Sequence, residues 1–230
     1  IGTTGDDVGF AATCDFEGNI YLAGLTSGGE SGDEKDLFLA KYSPNGFQLW
    51  IQQTGFARSV TAAVLRINDV SQIRMSAYSQ EEGNSAVILS TYSGDGKIVS
   101  SKKIDLPGTA PGNGLAMDKD SHIFIPAATP FNILKIHKSG EKSWGTELTP
   151  GLSVRALAAD TENGLYISGN MTQSLDGKKS KGGTDIFLLK ISQQGPKRWS
   201  RVFGTALDES ATALATKGAE TIAVVGYLPQ

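Results

Sequence analysis

The feature that most constrains this fold is a Gly-x-x-x-Trp spacing that returns along the chain. Three sites have the full spacing, and a fourth keeps the glycine but has serine in place of tryptophan. Successive glycines of the series are 50, 44 and 55 residues apart. A period of this length is typical of repeat architectures, in which each unit buries its apolar face against the next. The series consists of Gly46 and Trp50, Gly96 and Ser100, Gly140 and Trp144, and Gly195 and Trp199.

Each repeat contains four short segments with the pattern of β-strands. An alternating apolar segment precedes each glycine, at 37–42, 86–92, 133–136 and 186–191. Before it come a small-residue segment, a turn and a second apolar segment, as in GFAATC followed by DFEGNIYLAG. Alternating apolar residues, interrupted by Gly, Asn, Asp and Ser, favour strands over helices. The glycine content, 28 of 230 residues, fits many tight turns.

These repeats predict an all-β protein of the β-propeller class, with four complete four-stranded blades and a half-blade. The predicted blades cover 1–53, 54–105, 106–150 and 151–202, the half-blade covers 203–230, and together they form one domain. Alanine-rich first strands suit the crowded centre of such a ring. The tryptophans suit its wider part, where a large ring fills the gap to the next sheet. Because Ser100 replaces tryptophan, the second blade is expected to be the irregular one.

The predicted half-blade leaves a sheet edge without a neighbour. Residues 203–230 supply two strands of a fifth blade, and the other end of the sequence begins directly at a first strand. An exposed edge with apolar groups is an aggregation hazard. We therefore expect a protein partner, or further chain of the same protein, to cover this edge and complete a larger propeller.

Composition excludes some classes of partner. The net charge of −3 gives no reason to expect nucleic acid, and no segment has the roughly 20 apolar residues of a membrane span. The one cysteine, Cys14, lies in an apolar segment and is expected to be a small buried side chain without an internal disulfide. Such low cysteine content fits the cytosol and also fits a secreted bacterial protein, so the cytoplasm is not excluded.

The first repeat resembles the bacterial SBBP family of β-propeller repeats. The resemblance is carried by GTTGDDVGFAATCDFEGNIYLAGLTSGG and by DLFLAKYSPNGFQLW, and the fourth repeat follows through Asp160, Tyr166, Gly169 and Trp199. The segment around Asp208 repeats the opening of the chain, whereas the second and third repeats match weakly. The resemblance implies a surface, secreted or multidomain protein whose propeller serves structure and interaction, without shared catalytic residues.

A second, partial resemblance concerns the run from Ala40 to Trp50. Its pattern A-x-Y-x-x-N-G-x-x-x-W is similar to the tryptophan-docking motif of quinoprotein-like propellers. The resemblance implies that the tryptophan stacks across to the next blade. No cofactor-binding constellation accompanies it, so it supports the architecture only.

Few residues suggest chemistry. His122 and His137 occupy turn positions that hold other residues in the sister repeats, which favours solvated turn residues. Asp6–Asp7 and Asp208–Glu209 recur before first strands, either as acid–base or ion-binding carboxylates or as acceptors of backbone N–H groups. Repetition favours the structural role, because a catalytic pair needs to occur only once. Several acidic, Gly-rich loops make calcium a candidate ligand, although none has the spacing of a calcium-binding loop.

Two long polar loops are candidates for partner binding. The loop at 26–35 carries acidic residues, and the loop at 172–184 carries lysines. Long loops on a rigid framework often carry recognition, but they are equally consistent with tolerated insertions. The charged residues are Glu30, Asp33 and Glu34 in the first loop and Lys178, Lys179 and Lys181 in the second.

Taken together, the sequence predicts a non-enzymatic scaffold or protein-interaction module without catalytic, cofactor or metal residues, at the cell surface or outside the cell. One alternative is a hydrolase or lyase that uses carboxylates such as Asp7 and Asp208 at the central channel. Another is a glycan-binding propeller that uses exposed aromatic side chains. The aromatic candidates are Tyr78, Phe131 and Tyr227.

Overall fold

A computed structural model describes residues 5–27, 36–54, 60–68, 72–81, 84–106, 114–127, 132–218 and 221–228. Within these ranges every helix-or-strand element is a β-strand. The chain divides into two compact units, residues 1–109 and 110–230, and each is described by itself.

The first unit contains two four-stranded antiparallel sheets. Blade one has the strand order β1-β2-β3-β4, and blade two has the order β5-β6-β7-β8. The strands are β1 (Asp7–Cys14), β2 (Ile20–Thr26), β3 (Asp36–Tyr42), β4 (Gln48–Thr54), β5 (Val60–Ile67), β6 (Ile73–Glu81), β7 (Asn84–Tyr92) and β8 (Ile98–Leu106).

The second unit contains two further four-stranded sheets and one two-stranded sheet. Blade three is β9 to β12, blade four is β13 to β16, and the half-blade is β17 with β18. The strands are β9 (Ala116–Met117), β10 (Ile123–Pro126), β11 (Ile133–Ile136), β12 (Lys142–Thr146), β13 (Leu152–Ala159), β14 (Leu165–Met171), β15 (Asp185–Ile191), β16 (Lys197–Phe203), β17 (Ser210–Lys217) and β18 (Thr221–Tyr227).

In each unit, successive sheets bury their apolar faces against each other. Blade one contributes Tyr21 and Leu39 to a cluster that continues with Ile73 and Met75 of blade two. The first strands of successive blades also pack together, β1 on β5 and β13 on β17. This arrangement confirms the predicted β-propeller class with four complete blades and a half-blade. The core of the second unit joins Phe124 and Ile133 of blade three to Leu165, Ile167 and Phe187 of blade four.

Two β-bulges recur from blade to blade. One interrupts the first strand, between Gly9 and Ala11 in blade one and at matching places in blades two and four and in the half-blade. The other lies at the start of the fourth strand, where Trp50 pairs with Lys41 but Gln48 pairs with Tyr42. A bulge bends its strand and redirects side chains. The second bulge therefore helps to aim the tryptophan, and it occurs in all four complete blades.

Two expectations from the sequence are wrong. Blade two is regular, with strands of eight or nine residues, whereas blade three has strands of two to five. Backbone pairing holds blade two without a tryptophan, while β10 ends at Pro126, which cannot donate to a ladder.

Cys14 is exposed, not buried. Within the ranges given above, no helix has the length and apolarity to cross a membrane.

Candidate functional site

Three blades carry the same group of four side chains, called here the anchor cluster. An aspartate follows the first strand, an aromatic residue lies on the second, a lysine on the third and a tryptophan on the fourth. The clusters are Asp15, Tyr21, Lys41 and Trp50 in blade one; Asp118, Phe124, Lys135 and Trp144 in blade three; and Asp160, Tyr166, Lys190 and Trp199 in blade four.

Strand register places each cluster on one face of its sheet. In blade four, Lys190 lies directly opposite Tyr166 on one side and Trp199 on the other. Directly opposite residues in antiparallel strands are close enough for their side chains to interact. The lysine nitrogen lies 4.7–5.2 Å from the aromatic ring centre, and the tryptophan ring centre lies 5.8–6.1 Å from it across the three blades. Each lysine thus makes a cation–π contact beside the tryptophan.

The aspartate of each cluster holds the turn between the first two strands. Its Oδ1 accepts backbone N–H bonds from the residues two and four positions later, at 2.7–3.0 Å in all three blades. A short acidic side chain that bonds its own following backbone is a common turn former. The aspartate at this position therefore has a structural role in the turn.

The second oxygen, Oδ2, has different partners in each blade. In blade one it accepts from Asn19 at 2.9 Å and Tyr21 at 3.0 Å, with Lys41 at 3.9 Å. In blade three, His122 Nδ1 lies at 2.9 Å and Lys135 Nζ at 3.3 Å. In blade four, among the described residues, Oδ2 has one partner, the ammonium of Lys190, in an ion pair at 3.0 Å. The carboxylate in blade four therefore depends more on its lysine than the carboxylates in blades one and three do.

The lysine–aspartate ion pair is shortest in blade four, where a glycine replaces the residue that supplies another donor side chain in blades one and three. Gly164 occupies the position of Asn19 and His122, and a Cβ there would lie 2.8 Å from Oδ2 of Asp160. Lys190 also donates to the Tyr166 hydroxyl at 2.9 Å. The Asp160 side chain is completely buried. Lys190 therefore supplies the charge that makes this burial tolerable.

These contacts shift the pKa values of the anchor groups. Burial alone would lower the pKa of Lys190, but its bonds to Tyr166 and Asp160 raise it above 10.5. Burial alone would raise the pKa of Asp15, but hydrogen bonds from Asn19 and Tyr21 and the charge of Lys41 hold it below 3.8. Both shifts favour the charged forms.

The raised pKa of Lys190 predicts a loss of stability at alkaline pH. The stabilisation is complete below the unfolded-state value of 10.5 and is lost as pH rises through the higher folded-state value. We expect the melting temperature of the second unit, measured by calorimetry, to fall as the pH rises from about 10 to about 12. This range lies around the ordinary pKa of a lysine side chain. Lys190→Arg, which stays charged in this range, should flatten the dependence. An equally steep fall in that variant would contradict the assignment.

Two tryptophans contact the turn between the third and fourth strands of the next blade. A Cβ on Gly96 would lie 2.9 Å from the ring of Trp50, and one on Gly195 would lie 3.4 Å from the ring of Trp144. The indole N–H of Trp144 also donates to the carbonyl of Gln193 at 2.9 Å. The turn glycines Gly46, Gly96, Gly140 and Gly195 have φ values of 81, 87, 92 and 107°, where side chains are disfavoured.

Cavities flank two of the tryptophans. The one beside Trp144 measures about 440 Å³ and is lined by His122, Lys135 and Ser143, with Gln193 and Gln194 from the turn of blade four. The one beside Trp199 measures about 530 Å³ and is lined by blade four alone. Its lining includes Gly164, Lys190 and Arg198, which occupy the positions of His122, Lys135 and Ser143.

Blade two differs from this pattern at all four positions. Asn68, Arg74, Thr91 and Ser100 replace the aspartate, aromatic residue, lysine and tryptophan. The turn survives, because Asn68 Oδ1 still accepts the N–H of Gln72 at 2.9 Å. Without the buried carboxylate, a lysine at the position of Thr91 would lack its counter-ion.

The acidic pairs before the first strands make turn contacts. Asp208 Oδ1 accepts the N–H of Thr184 at 2.7 Å, and buried Glu209 accepts from Thr205 N at 3.1 Å. The strand registers show that Asp7 in blade one and Glu209 in the half-blade occupy equivalent positions. Asp6 and Asp208 are therefore equivalent as well. Asp7 begins β1 and lies in the other unit from Asp208.

One of the two histidines differs from expectation. His122 is not a solvated turn residue: its side chain is 15% exposed and binds the buried Asp118. It takes the place of Asn19 as a donor to the turn carboxylate, which the register alone could not reveal. His137 bonds Ser139 at 2.8 Å, and its ring centre lies 4.8 Å from that of His122.

The lysine-rich loop packs on its own blade. Leu175 is buried, Asp176 pairs with Lys197, and Lys178 Nζ donates to the carbonyl of Ser200 at 3.2 Å. Lys179 and Lys181 are exposed. Glu30, Asp33 and Glu34 of the other loop lie outside the described residues.

The aromatic residues that were candidates for glycan binding lie in different environments. Tyr78 is buried and its hydroxyl bonds Ser85 at 2.8 Å, Tyr227 is 60% exposed, and Phe131 lies outside the described residues. In the part of the chain that the structure describes, no three His, Cys, Asp or Glu side chains form a metal-binding group. The expectation of no cofactor or metal, with calcium as the candidate ion if one binds, stays an untested prediction.

Several solved structures are similar to this chain in fold. Selenomethionine-substituted virginiamycin B lyase from Staphylococcus aureus is 13% identical, with a TM-score of 0.46 over 99% of this chain and 85% of that chain. The GH43 endo-arabinanase from Bacillus licheniformis is 11% identical, with a TM-score of 0.47 over 92% and 85%. A puromycin hydrolase mutant is 12% identical, with a TM-score of 0.57 over 94% of this chain and 34% of that chain.

In sequence, no family model and no curated protein matches this chain. The SBBP resemblance therefore stays a prediction. At identities of 11–13%, the likeness to the solved structures extends to the fold alone.

The predicted non-enzymatic scaffold function is wrong as an inference from this fold. One similar structure, with a TM-score of 0.57, is an enzyme, the puromycin hydrolase mutant. A blade array presents loops at both ends of its sheets, and these can carry catalytic residues without changing the strands. Repeats without a catalytic motif therefore do not imply a non-enzymatic protein. None of these activities, and neither of the two alternative functions, follows for this chain from the fold.

Proposed function

We propose that the half-blade binds a β-hairpin that supplies the third and fourth strands of a fifth blade. The hairpin comes from a protein partner or from further chain of the same protein. The observation that carries the proposal is the exposure of β18. None of its seven residues is buried, whereas six of the seven residues in its counterpart β14 are.

The half-blade is held in place for such binding. Asn170 of blade four donates to Ser210 Oγ at 2.9 Å and accepts the N–H of Ala211 at 3.0 Å. Thr216 donates to the carbonyl of Ala159 at 2.8 Å. These contacts fix β17 against blade four, which leaves β18 as the outer strand of the two-stranded sheet. A preorganised edge loses less entropy on binding than a free strand.

The chemistry of β18 suits the addition of a strand. An edge strand presents N–H and C=O groups that can pair with an incoming strand. Val225 and Tyr227 are 57% and 60% exposed, whereas Ala23 and Leu25, their counterparts in blade one, are 0% and 5% exposed. Cross-strand apolar contacts would cover part of this surface.

The chain itself provides the probe for this proposal. Residues 185–203 form the third and fourth strands of blade four, so a synthetic peptide of this sequence is the matching hairpin. Blade four predicts the register: Phe187 of the peptide opposite Gly226, and Leu188 opposite Val225. We expect the labelled peptide to bind the 230-residue protein saturably by fluorescence anisotropy and to slow amide exchange in β18.

A pair of valine variants tests the location. Val225→Lys places a charge in the predicted interface and should weaken peptide binding by at least about tenfold. Val99→Lys is the matched control, because Val99 is 60% exposed but lies on β8. A scrambled peptide should not bind. Absence of saturable binding, or equal loss in both variants, would contradict the proposal.

A further inference from the structure

We infer that His122 and His137 together form a binding site for a zinc-type divalent metal ion. The inference goes beyond the proposed function, since the site lies in blade three and does not involve the half-blade. It also departs from the expectation of no metal ligand, which treated the two histidines as separate turn residues. Strand pairing brings them together.

The chain has two histidines, and the fold places them side by side. Ile123 of β10 lies directly opposite Ile136 of β11, and the histidines are the adjacent residues at the ends of these strands. The sister blades have other residues at both positions, so the fold does not require the histidine pair. These residues are Asn19 and Ser43 in blade one, Gln72 and Ser93 in blade two, and Gly164 and Ser192 in blade four.

The distance between the two rings suits one shared ion. Zinc–nitrogen bonds to histidine are about 2.0–2.1 Å long, so two imidazole rings on one tetrahedral zinc ion have their centres about 5 Å apart. The ring centres of the two histidines are 4.8 Å apart, and the ring planes are tilted by 41°. A shared ion therefore requires no separation of β10 and β11.

The contact of His122 with a carboxylate favours a role as a metal ligand. Its Nδ1 lies 2.9 Å from Oδ2 of buried Asp118 and donates its proton to that oxygen. Histidines that bind metals almost always donate the other ring N–H to a carboxylate, a carbonyl or water, which orients the ring and makes it a stronger ligand. The lone pair of His122 Nε2 is therefore available to a metal ion.

His137 has to change its tautomer to bind the ion. The backbone N–H of Ser139 donates to His137 Nδ1 at 3.1 Å, so the ring proton is on Nε2 before metal binding. Metal binding releases this proton to water, and Nδ1 takes up a proton from water, so the ring stays neutral. Ser139 Oγ lies 2.8 Å from Nδ1 and can accept the new N–H. Water fills the other coordination positions, so binding should be weaker than at a closed structural zinc site.

A zinc titration of the 230-residue protein, with its histidines labelled with nitrogen-15, tests the inference. Because the chain has two histidines, all histidine ring signals come from this pair. We expect both Nε2 signals to shift along one saturation curve that ends at one zinc ion per chain. His122→Asn and His137→Ser introduce the residues of blade one, and each should weaken zinc binding at least about tenfold.

Magnesium is the control ion, because it prefers oxygen ligands and should shift neither signal. Two separate saturation curves, or variants that each leave the other histidine's response unchanged, would show two independent histidines and overturn the inference. No shift of the Nε2 signals in excess zinc would overturn it as well. The titration of the native protein decides these outcomes even if a variant does not fold, and none of them affects the hairpin proposal.

Discussion

Replacing Lys190 with methionine is expected to destabilise the second unit by about 3 kcal/mol. The substitution keeps the length of the side chain but leaves the buried carboxylate of Asp160 without its cation. An unpaired buried charge costs several kcal/mol, because the loss of its hydration is no longer offset by the counter-charge. The measurement is urea unfolding followed by a probe in the second unit, at neutral pH.

The same substitution in the other two anchor clusters provides matched controls. Lys135→Met leaves His122 on the carboxylate, and Lys41→Met leaves Asn19 and Tyr21. The loss should therefore be largest for Lys190→Met and smallest for Lys41→Met, where the ion pair is also longest at 3.9 Å. Equal losses at all three lysines would show that the remaining donors do not matter.

Gly24→Ala is expected to destabilise the first unit by about 3 kcal/mol. An added Cβ would lie 2.1 Å from the carbonyl oxygen of Val8 and 2.6 Å from the Phe38 ring. A backbone atom cannot move aside as a flexible side chain does, so β1 would have to shift. Thermal unfolding of the first unit measures the effect.

Gly9→Ala is the control within the same cross-strand pair. Gly9 lies directly opposite Gly24, yet an added Cβ there has nothing within 4 Å. This variant should be neutral or gain about 0.4–1 kcal/mol from a less flexible unfolded chain. Gly169→Ala should repeat the loss in the second unit, since its Cβ would lie 2.0 Å from the Ser153 carbonyl oxygen. Equal behaviour of Gly9→Ala and Gly24→Ala would contradict the argument.

The strands and turns were predictable because their signals are local. Alternation of apolar residues marks strands such as β3. A glycine with positive φ, such as Gly46, lies in each turn between the third and fourth strands. The misjudged blade two shows the limit. Ser100 removes a large aromatic side chain from the fourth strand, but pairing within the sheet depends on backbone groups that every residue carries.

The candidate site was only partly predictable. In the sequence, a lysine stands five residues before each of Gly46, Gly140 and Gly195, and the first turn of each of these three blades has an aspartate. The pairing of these lysines with the aspartates was not predictable, because the two residues are separated by about half a blade of chain and meet only through strand register. His122 was misjudged for the same reason, since its partner is a carboxylate whose burial the sequence does not state.

By itself, the sequence determined the all-β class, the number of blades and the glycine turns, because alternation and turn chemistry act over a few neighbouring residues. Only the tertiary structure decided which side chains meet. Bulges at Gly9 and beside Trp50 shift the register, the buried carboxylates take different donors in each blade, and β18 is left as an exposed edge. These outcomes depend on distances between strands far apart in the chain, and a linear pattern does not contain those distances.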